Sequence, residues 1–382
     1  MHDAMLDPAS FANPGQTGFV TQGQNGFTTQ GQSGEFDSDV RHEIARQRIL
    51  LAYTDAMLRA RTDAMLSARS VPAPLAQADR LVLLGTLGSL NAAGVARGWI
   101  EQLARLPCDV EPAVDWCHRA GPLSPGSVGV LISRSGESAE TLAALALLQS
   151  AGLPTIAVTG AHHSTLASSA SLLWPTAPNE EKAGTATGSF TTALMALLHL
   201  GLAIGVARGH VDQASSAKVE RQLAEASIAG ALAEAAEPRC AAIARRLANA
   251  GEIRFGGRQW CACMAAQGAQ NLRDLCPIPA EAQTGGALRY GPMEPGLPVV
   301  MCAAADAEVA GAVADATQVR GRGGHVIVLS DACSPAAFHD AAHETLALPG
   351  RGIAYAFAQA VALQLIAHHT ARAFREDARR FW

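Results

Sequence analysis

The sequence predicts an α/β protein of two tandem lobes, each a mainly parallel sheet between two layers of helices. Three observations carry that prediction. Short apolar runs of strand length alternate with longer helical stretches, the grammar of a covered parallel sheet. The alternation occurs twice, in the same order and at similar spacing. The chain is 382 residues long, 49% hydrophobic and 16% charged, enough to build more than one core.

In chain order, residues 1–36 read as a flexible tail. Gly15-Gln-Thr-Gly-Phe-Val-Thr-Gln22 repeats as Gly23-Gln-Asn-Gly-Phe-Thr-Thr-Gln30 and trails off at Gly31-Gln-Ser-Gly34. Gly, Gln and Thr at this density bury too little apolar area to offset chain entropy. Residues 37–74 form a helical segment, with Ile44, Leu51 and Leu58 recurring until Val71-Pro-Ala-Pro74. The first lobe spans 75–209. Its strands are expected at Leu81–Leu84, Pro107–Glu111, Val128–Ile132, Thr155–Thr159 and Ser171–Trp174, and its helices at Ala92–Leu103, Ala139–Ala151 and Thr187–Arg208. A helical linker is expected over 210–249. The second lobe spans 250–382. Strands are expected at Ile253–Phe255, Leu297–Cys302, His325–Ser330 and Thr345–Leu348, and helices at Trp260–Leu275, Ala307–Val319 and Ile353–Phe374.

The stretch from Val128 to Thr141 stands out. A buried strand ends at Ser133, a loop of Ser133, Ser135 and Ser138 around Gly136 follows, and a helix opens with Ser138 as its N-cap and Thr141 in its first turn. Leu142, Leu145, Leu147 and Leu148 supply that helix's apolar stripe. Hydroxyls, backbone N–H groups and a positive helix end converge here, which suits a phosphate.

The net charge of −5 and the lack of a Lys/Arg run exclude a nucleic-acid footprint. Eight scattered Cys without a C-x-x-C pair read as small apolar residues of a reducing, cytoplasmic protein. No signal peptide is expected. The apolar stretches 190–207 and 353–367 read as buried core or subunit-interface helices, with no membrane role. His339 and His343, spaced four apart, read as a solvated helix face and not as a metal pair. His368 and His369 are expected near the end of the last helix, where a cation suits the dipole. No P-loop is present, and Gly85-Thr-Leu-Gly88 lacks dinucleotide-binding spacing.

Ser133-Arg-Ser-Gly-Glu-Ser138 resembles the phosphosugar loop of sugar isomerase (SIS) domains. Pro107-Cys-Asp-Val-Glu111, the run from Glu181 to Thr192 and the run from Ala280 to Pro292 resemble, in order, further landmarks of the double-SIS family. That family includes the isomerase half of glucosamine-6-phosphate synthase, deaminating phospho-aminosugar isomerases and fructosamine-6-phosphate deglycases. The resemblance covers roughly residues 75–380. It implies two flavodoxin-like SIS lobes, a sugar phosphate as ligand, no metal or organic cofactor, and a homodimer or higher homo-oligomer. The synthase's glutaminase half is expected to be missing, since residues 1–70 are too short for it.

The resemblance implies that Ser133, Arg134, Ser135, Gly136 and Ser138 hold the phosphate, with Thr86 and Ser89 as a second wall. Thr185 and Thr187 lie on the loop that touches ligand in the family, and Ala186 replaces a Ser. The catalytic pattern departs further. The family's Glu base falls on Asp274, one methylene shorter, and its ring-opening His on Tyr290. A helical Lys becomes Asn271, a Glu becomes Ala287, and a C-terminal Lys has no counterpart. The expected activity is aldose–ketose isomerisation of a 6-phospho-(amino)sugar, with or without loss of the amine. Asp274 would be the base and Tyr290 the ring-opening group. The alternative is a non-catalytic phosphosugar sensor.

Overall fold

The computed structural model describes residues 32–67, 72–119 and 124–378. The repeat at 15–34 falls almost entirely outside them, as does Val71.

The first sheet has strands β1 (Arg80–Gly85), β2 (Cys108–Pro112), β3 (Ser127–Ile132), β4 (Thr155–Thr159) and β5 (Leu172–Pro175), in the order β2-β1-β3-β4-β5. The second has β6 (Ile253–Gly257), β7 (Ala280–Thr284), β8 (Pro298–Cys302), β9 (His325–Asp331) and β10 (Glu344–Leu348), in the order β7-β6-β8-β9-β10. Every pairing is parallel. Counted within each lobe, both sheets follow the order 2-1-3-4-5, the flavodoxin-like pattern. β1, β3 and β4 are buried almost throughout, because parallel strands are covered on both faces.

The helices follow α1 (Gln32–Ser67), α2 (Ala73–Gln77), α3 (Gly88–Ala104), α4 (Ala113–Arg119), α5 (Ala139–Ser150), α6 (Thr165–Ser169), α7 (Gly188–Ala207), α8 (Gln213–Glu234), α9 (Glu237–Leu247), α10 (Trp260–Leu275), α11 (Val309–Gly321) and α12 (Ile353–Ala378). α3 and α10 pack across the seam between the lobes. A side chain at Gly94 would put its Cβ 2.5 Å from Cys263 Sγ, so only glycine lets the two helices come this close. Trp99 and Trp260 meet at the same seam with ring centroids 5.2 Å apart.

Several expectations change. α1 starts at Gln32, ahead of the expected Asp37. The linker is two helices, with Pro238 in the first turn of α9, where its missing N–H is not needed. β7, an edge strand, and the short α2, α4 and α6 were not expected from the sequence. In α5, Leu147 is 44% exposed, and the buried face is Thr141, Ala144, Leu145 and Leu148. His339 and His343 do not share a helix. His339 follows the 3-10 turn Pro335–Phe338, and His343 stacks on His325 at 4.5 Å. His368 and His369 lie well inside α12, away from its end. His369 pairs with Glu237 at 2.9 Å, and burial pushes the His368 pKa down to about 4.

Among the described residues, α7 is the one helix long and apolar enough to cross a membrane, and 89% of its apolar window is buried inside the protein. Its apolar faces meet α1 and α3.

Candidate functional site

A cavity of about 230 Å³ opens at the carboxyl ends of β1, β3, β4 and β5. Ligands of open α/β sheets bind at this edge, where strand order reverses. Thr86 and Ser89 line it from the β1–α3 turn, and Ser133, Arg134, Ser135 and Ser138 from the β3–α5 turn. Thr159, Thr176, Asn179 and Ser189 add polar groups, and Gln270 and Asp274 reach in from α10. The site is therefore assembled from both lobes.

The serine loop is a tight structure. Ser133 is buried, and its Oγ accepts the Gly136 N–H at 3.0 Å. Ser135 Oγ accepts the Glu137 N–H at 3.2 Å. Each hydroxyl thus keeps its own proton to donate to an anion. Gly136 has φ +66, and an added Cβ would sit 2.0 Å from Ser164 Oγ, so glycine is required on two counts. Ser138 occupies the N-cap position of α5, but its hydroxyl does not cap a backbone amide. It donates to Glu140 Oε2 at 3.1 Å and accepts from Thr141 Oγ1 at 3.2 Å.

Asp274 reaches solvent through the cavity mouth, yet the walls around it remove enough water to raise its pKa above the usual aspartate range. The hydrogen bond from Thr185 Oγ1 to its Oδ2, at 3.0 Å, acts against that rise, as does the nearby Arg134. Asn271 is buried and accepts from Gln267 Nε2 at 2.5 Å, and its Oδ1, 3.3 Å from Thr185 Oγ1, competes with Asp274 for that hydroxyl's one proton. Asn91 on α3 donates to Gln267 at 3.0 Å and to Gln270 at 3.2 Å, tying the lobes together under the cavity.

Four of the expected site residues do not line the cavity, Gly136 among them, buried inside the serine loop. Thr185 and Thr187 are buried and do not line the cavity. Thr185 holds Asp274, and Thr187 Oγ1 donates to Glu181 Oε1 at 2.9 Å. The residues between and beside them, Gly184, Ala186 and Ser189, form the wall instead. Tyr290 is 75% exposed and does not line the cavity of its own chain. Arg289, beside it, pairs with buried Asp315 at 2.5 Å.

Gln270, Asn179, Ser189 and Thr176 were missed from the sequence. Glu181, read from the sequence as a group that caps or orients the nearby loop, does orient it. Its fully buried carboxylate accepts the N–H groups of Thr187 at 3.0 Å and Ser189 at 2.7 Å, and pairs with Arg134 at 3.2 Å. A carboxylate next to a Gly/Thr-rich stretch was the available signal.

Fold and site together define a two-lobed α/β protein whose cavity sets a serine-rich loop opposite a carboxylate with a raised pKa. The SIS domain profile matches residues 74–203. A glutamine–fructose-6-phosphate aminotransferase (isomerizing) of Bradyrhizobium diazoefficiens is 33% identical over 295 residues, covering 76% of this chain and 48% of that protein. The Brucella abortus protein of the same name is 28% identical over 336 residues, 87% of this chain and 55% of that one. The chain thus spans about half the length of these curated relatives. Among solved structures, the C-terminal domain of glucosamine-fructose-6-phosphate aminotransferase from Francisella tularensis superposes with a TM-score of 0.82 at 24% identity, covering 87% of this chain and 95% of that one. Glucosamine-6-phosphate deaminase from Thermotoga maritima superposes with a TM-score of 0.63 at 19% identity, covering 87% and 94%. At these identities the superpositions speak for the fold alone. The chain carries a SIS domain at residues 74–203 and is homologous to the isomerase domain of the aminotransferases.

Proposed function

We propose that this protein is a phosphosugar isomerase, or an isomerase that also releases an amine, acting on a 6-phospho-(amino)sugar. The observation that carries this reading is one cavity with the serine loop on one wall and Asp274, its pKa raised, on another. The loop supplies binding energy remote from the reacting carbons. Asp274 takes the proton from C2 of the aldose form, the C–H electron pair becomes a C1=C2 double bond while O1 gains a proton, and the resulting enediol collapses as the Asp274 proton returns to C1 and the O2 hydroxyl gives up its own proton to become the C2 carbonyl. Run backwards, the same step converts ketose to aldose. A raised pKa makes an aspartate a better proton acceptor, in part offsetting its shorter reach.

The second reading is a non-catalytic phosphosugar sensor. One observation favours it: Arg134 and Asp274 are the titratable side chains among the described residues that line the cavity. With Tyr290 on the surface, a group for ring opening would come from a second copy of the chain, and we infer a homodimer or higher oligomer. A cytoplasmic location fits the scattered free thiols. The test is to mix the pure protein with fructose 6-phosphate, glucosamine 6-phosphate and related phospho-aminosugars and follow products by NMR. Turnover lost in Asp274→Asn supports the enzyme. Tight binding without turnover of any panel member supports the sensor.

A further inference from the structure

The wall of the cavity is held from behind by a helix outside both sheets. α1 buries Glu43, Gln47 and Thr54, which are 6%, 1% and 0% exposed. Burying polar groups costs free energy unless they are hydrogen-bonded. All three are bonded, directly or through one intermediary, to the segment 177–191. Thr54 Oγ1 accepts the Ala177 N–H at 3.0 Å. Gln47 accepts from Thr191 Oγ1 at 2.8 Å and donates to Gln364 of α12 at 2.6 Å, and Gln364 donates on to the Thr187 carbonyl at 3.3 Å. Glu43 does most. One carboxylate oxygen accepts the N–H groups of Lys182 at 2.5 Å and Ala183 at 3.0 Å, and the other accepts from Thr187 Oγ1 at 3.2 Å.

Two buried carboxylates meet at that last atom. Thr187 Oγ1 lies 3.2 Å from Glu43 and 2.9 Å from Glu181, and a hydroxyl has one proton for both. Glu181 carries the wall onward, since it binds the Ser189 N–H and pairs with Arg134 of the serine loop. A continuous path therefore runs from α1 through Glu43, Thr187 and Glu181 to the serine loop. Burial raises the Glu43 pKa, as does repulsion from Glu181.

We propose that Glu43 is a positioning residue of the cavity: its two acceptor oxygens set the course of residues 182–187, and so place Gly184, Ala186 and Ser189 around the bound ligand. The nature of that ligand rests on the phosphosugar reading above; the positioning does not. What the geometry needs at 43 is acceptor atoms at the right reach. A glutamine meets that need. Its carbonyl accepts both amides, and its NH₂ donates to Thr187 Oγ1, which frees the threonine proton for Glu181. An aspartate keeps the charge and loses the reach.

The test compares Glu43→Gln, Glu43→Asp and Glu43→Leu in the full chain. Amide hydrogen exchange is read over 182–189 without ligand, and fructose 6-phosphate affinity by calorimetry. Glu43→Leu is expected to speed exchange over 182–189 by about tenfold or more while 133–138 stays within about twofold, as local opening predicts. Affinity should fall about tenfold in Glu43→Leu, less in Glu43→Asp, and stay within about twofold in Glu43→Gln. Unchanged exchange in both Asp and Leu variants overturns the proposal. So does the reverse order, with Asp near wild type and Gln impaired, because charge would then be what matters. Should Glu43→Leu fail to fold, the Gln and Asp pair alone decides. If the wild type binds no sugar phosphate, the functional reading falls and the exchange data still decide the positioning.

Discussion

The carboxyl ends of the two sheets share a topology and differ in what fills them. The strand registers align Ile132 with Cys302, and the next residues make the same bond: Ser133 N to the Val158 carbonyl at 3.2 Å, Ala303 N to the Leu329 carbonyl at 3.0 Å. From there the loops part. Ser133-Arg-Ser-Gly-Glu-Ser138 faces Ala303-Ala-Ala-Asp-Ala-Glu308. Where the first sheet has Gly160 on the cavity wall, the second has Asp331, whose carboxylate takes the Ala305 N–H at 2.5 Å. Where the first has Thr86, the second has Arg258, bound to Asp315 at 2.7 Å and Glu308 at 3.1 Å. The remaining space there is about 10 Å³, against about 230 Å³ in the first lobe. The second lobe fills with its own carboxylates the place that the first leaves open. Even the strain is shared: Leu87 and Gln259 both have φ 49 just before their helices. Fold alone thus does not make a site; the loop side chains do.

That contrast can be broken by substitution. The largest effect is expected at Asp274, since a general base contributes about 10² to 10⁴ in rate. Asp274→Asn should lower kcat by about 10³ in the NMR turnover assay, whereas no change in the second lobe's Asp315 should do so. In the wild type, kcat/KM should rise with pH through the raised Asp274 pKa, because the base works when ionised; a flat profile there would count against it. Next, Asp315→Ala removes the shared partner of Arg258 and Arg289, and should cost about 3 kcal/mol in urea unfolding with sugar-phosphate affinity unchanged. Converting the first loop toward the second, with Ser133→Ala and Ser135→Ala together, should weaken sugar-phosphate binding about 100-fold in calorimetry, as two hydrogen bonds to a charged group are lost, and should cost about 1–3 kcal/mol of stability, because the buried Gly136 N–H loses its acceptor. The smallest effect should come from Leu87→Gly and Gln259→Gly, each raising stability by about 1 kcal/mol or less as the left-handed φ becomes free of strain. A gain at one position and a loss at the other would end the equivalence of the two turns.

Much of this was legible in the sequence, for physical reasons. Buried parallel strands such as β3 are continuous apolar runs, so they announce themselves. The serine loop does too, since a Ser and Gly cluster between an apolar strand and a helix marks a tight turn. β7 did not, because an edge strand half open to solvent needs no apolar run, and Ala-Glu-Ala-Gln-Thr has none. Thr185 and Thr187 were placed on the right loop, but which alternate residues face inward depends on Glu181 and Glu43, which are 4 and 142 residues before Thr185. Glu43, Gln47 and Thr54 recur at helical spacing on the face of α1 that also holds Ile44, Leu51 and Leu58. Polar residues on a buried face were a readable hint that the helix holds something other than a core. Asp274 was found, but its raised pKa comes from walls that only the fold assembles.

The seam between α3 and α10 has a mechanical consequence. The serine loop is fixed to the first sheet and Asp274 to a helix of the second lobe, so the distance between them is set by how those two helices are keyed together. Gly94 against Cys263 and Trp99 against Trp260 act as the index marks of that alignment. A slip of about 1 Å along the seam can change a rate as much as a substitution in the cavity, by about 10². Small residues far from any substrate can thus serve as the calibration of the site.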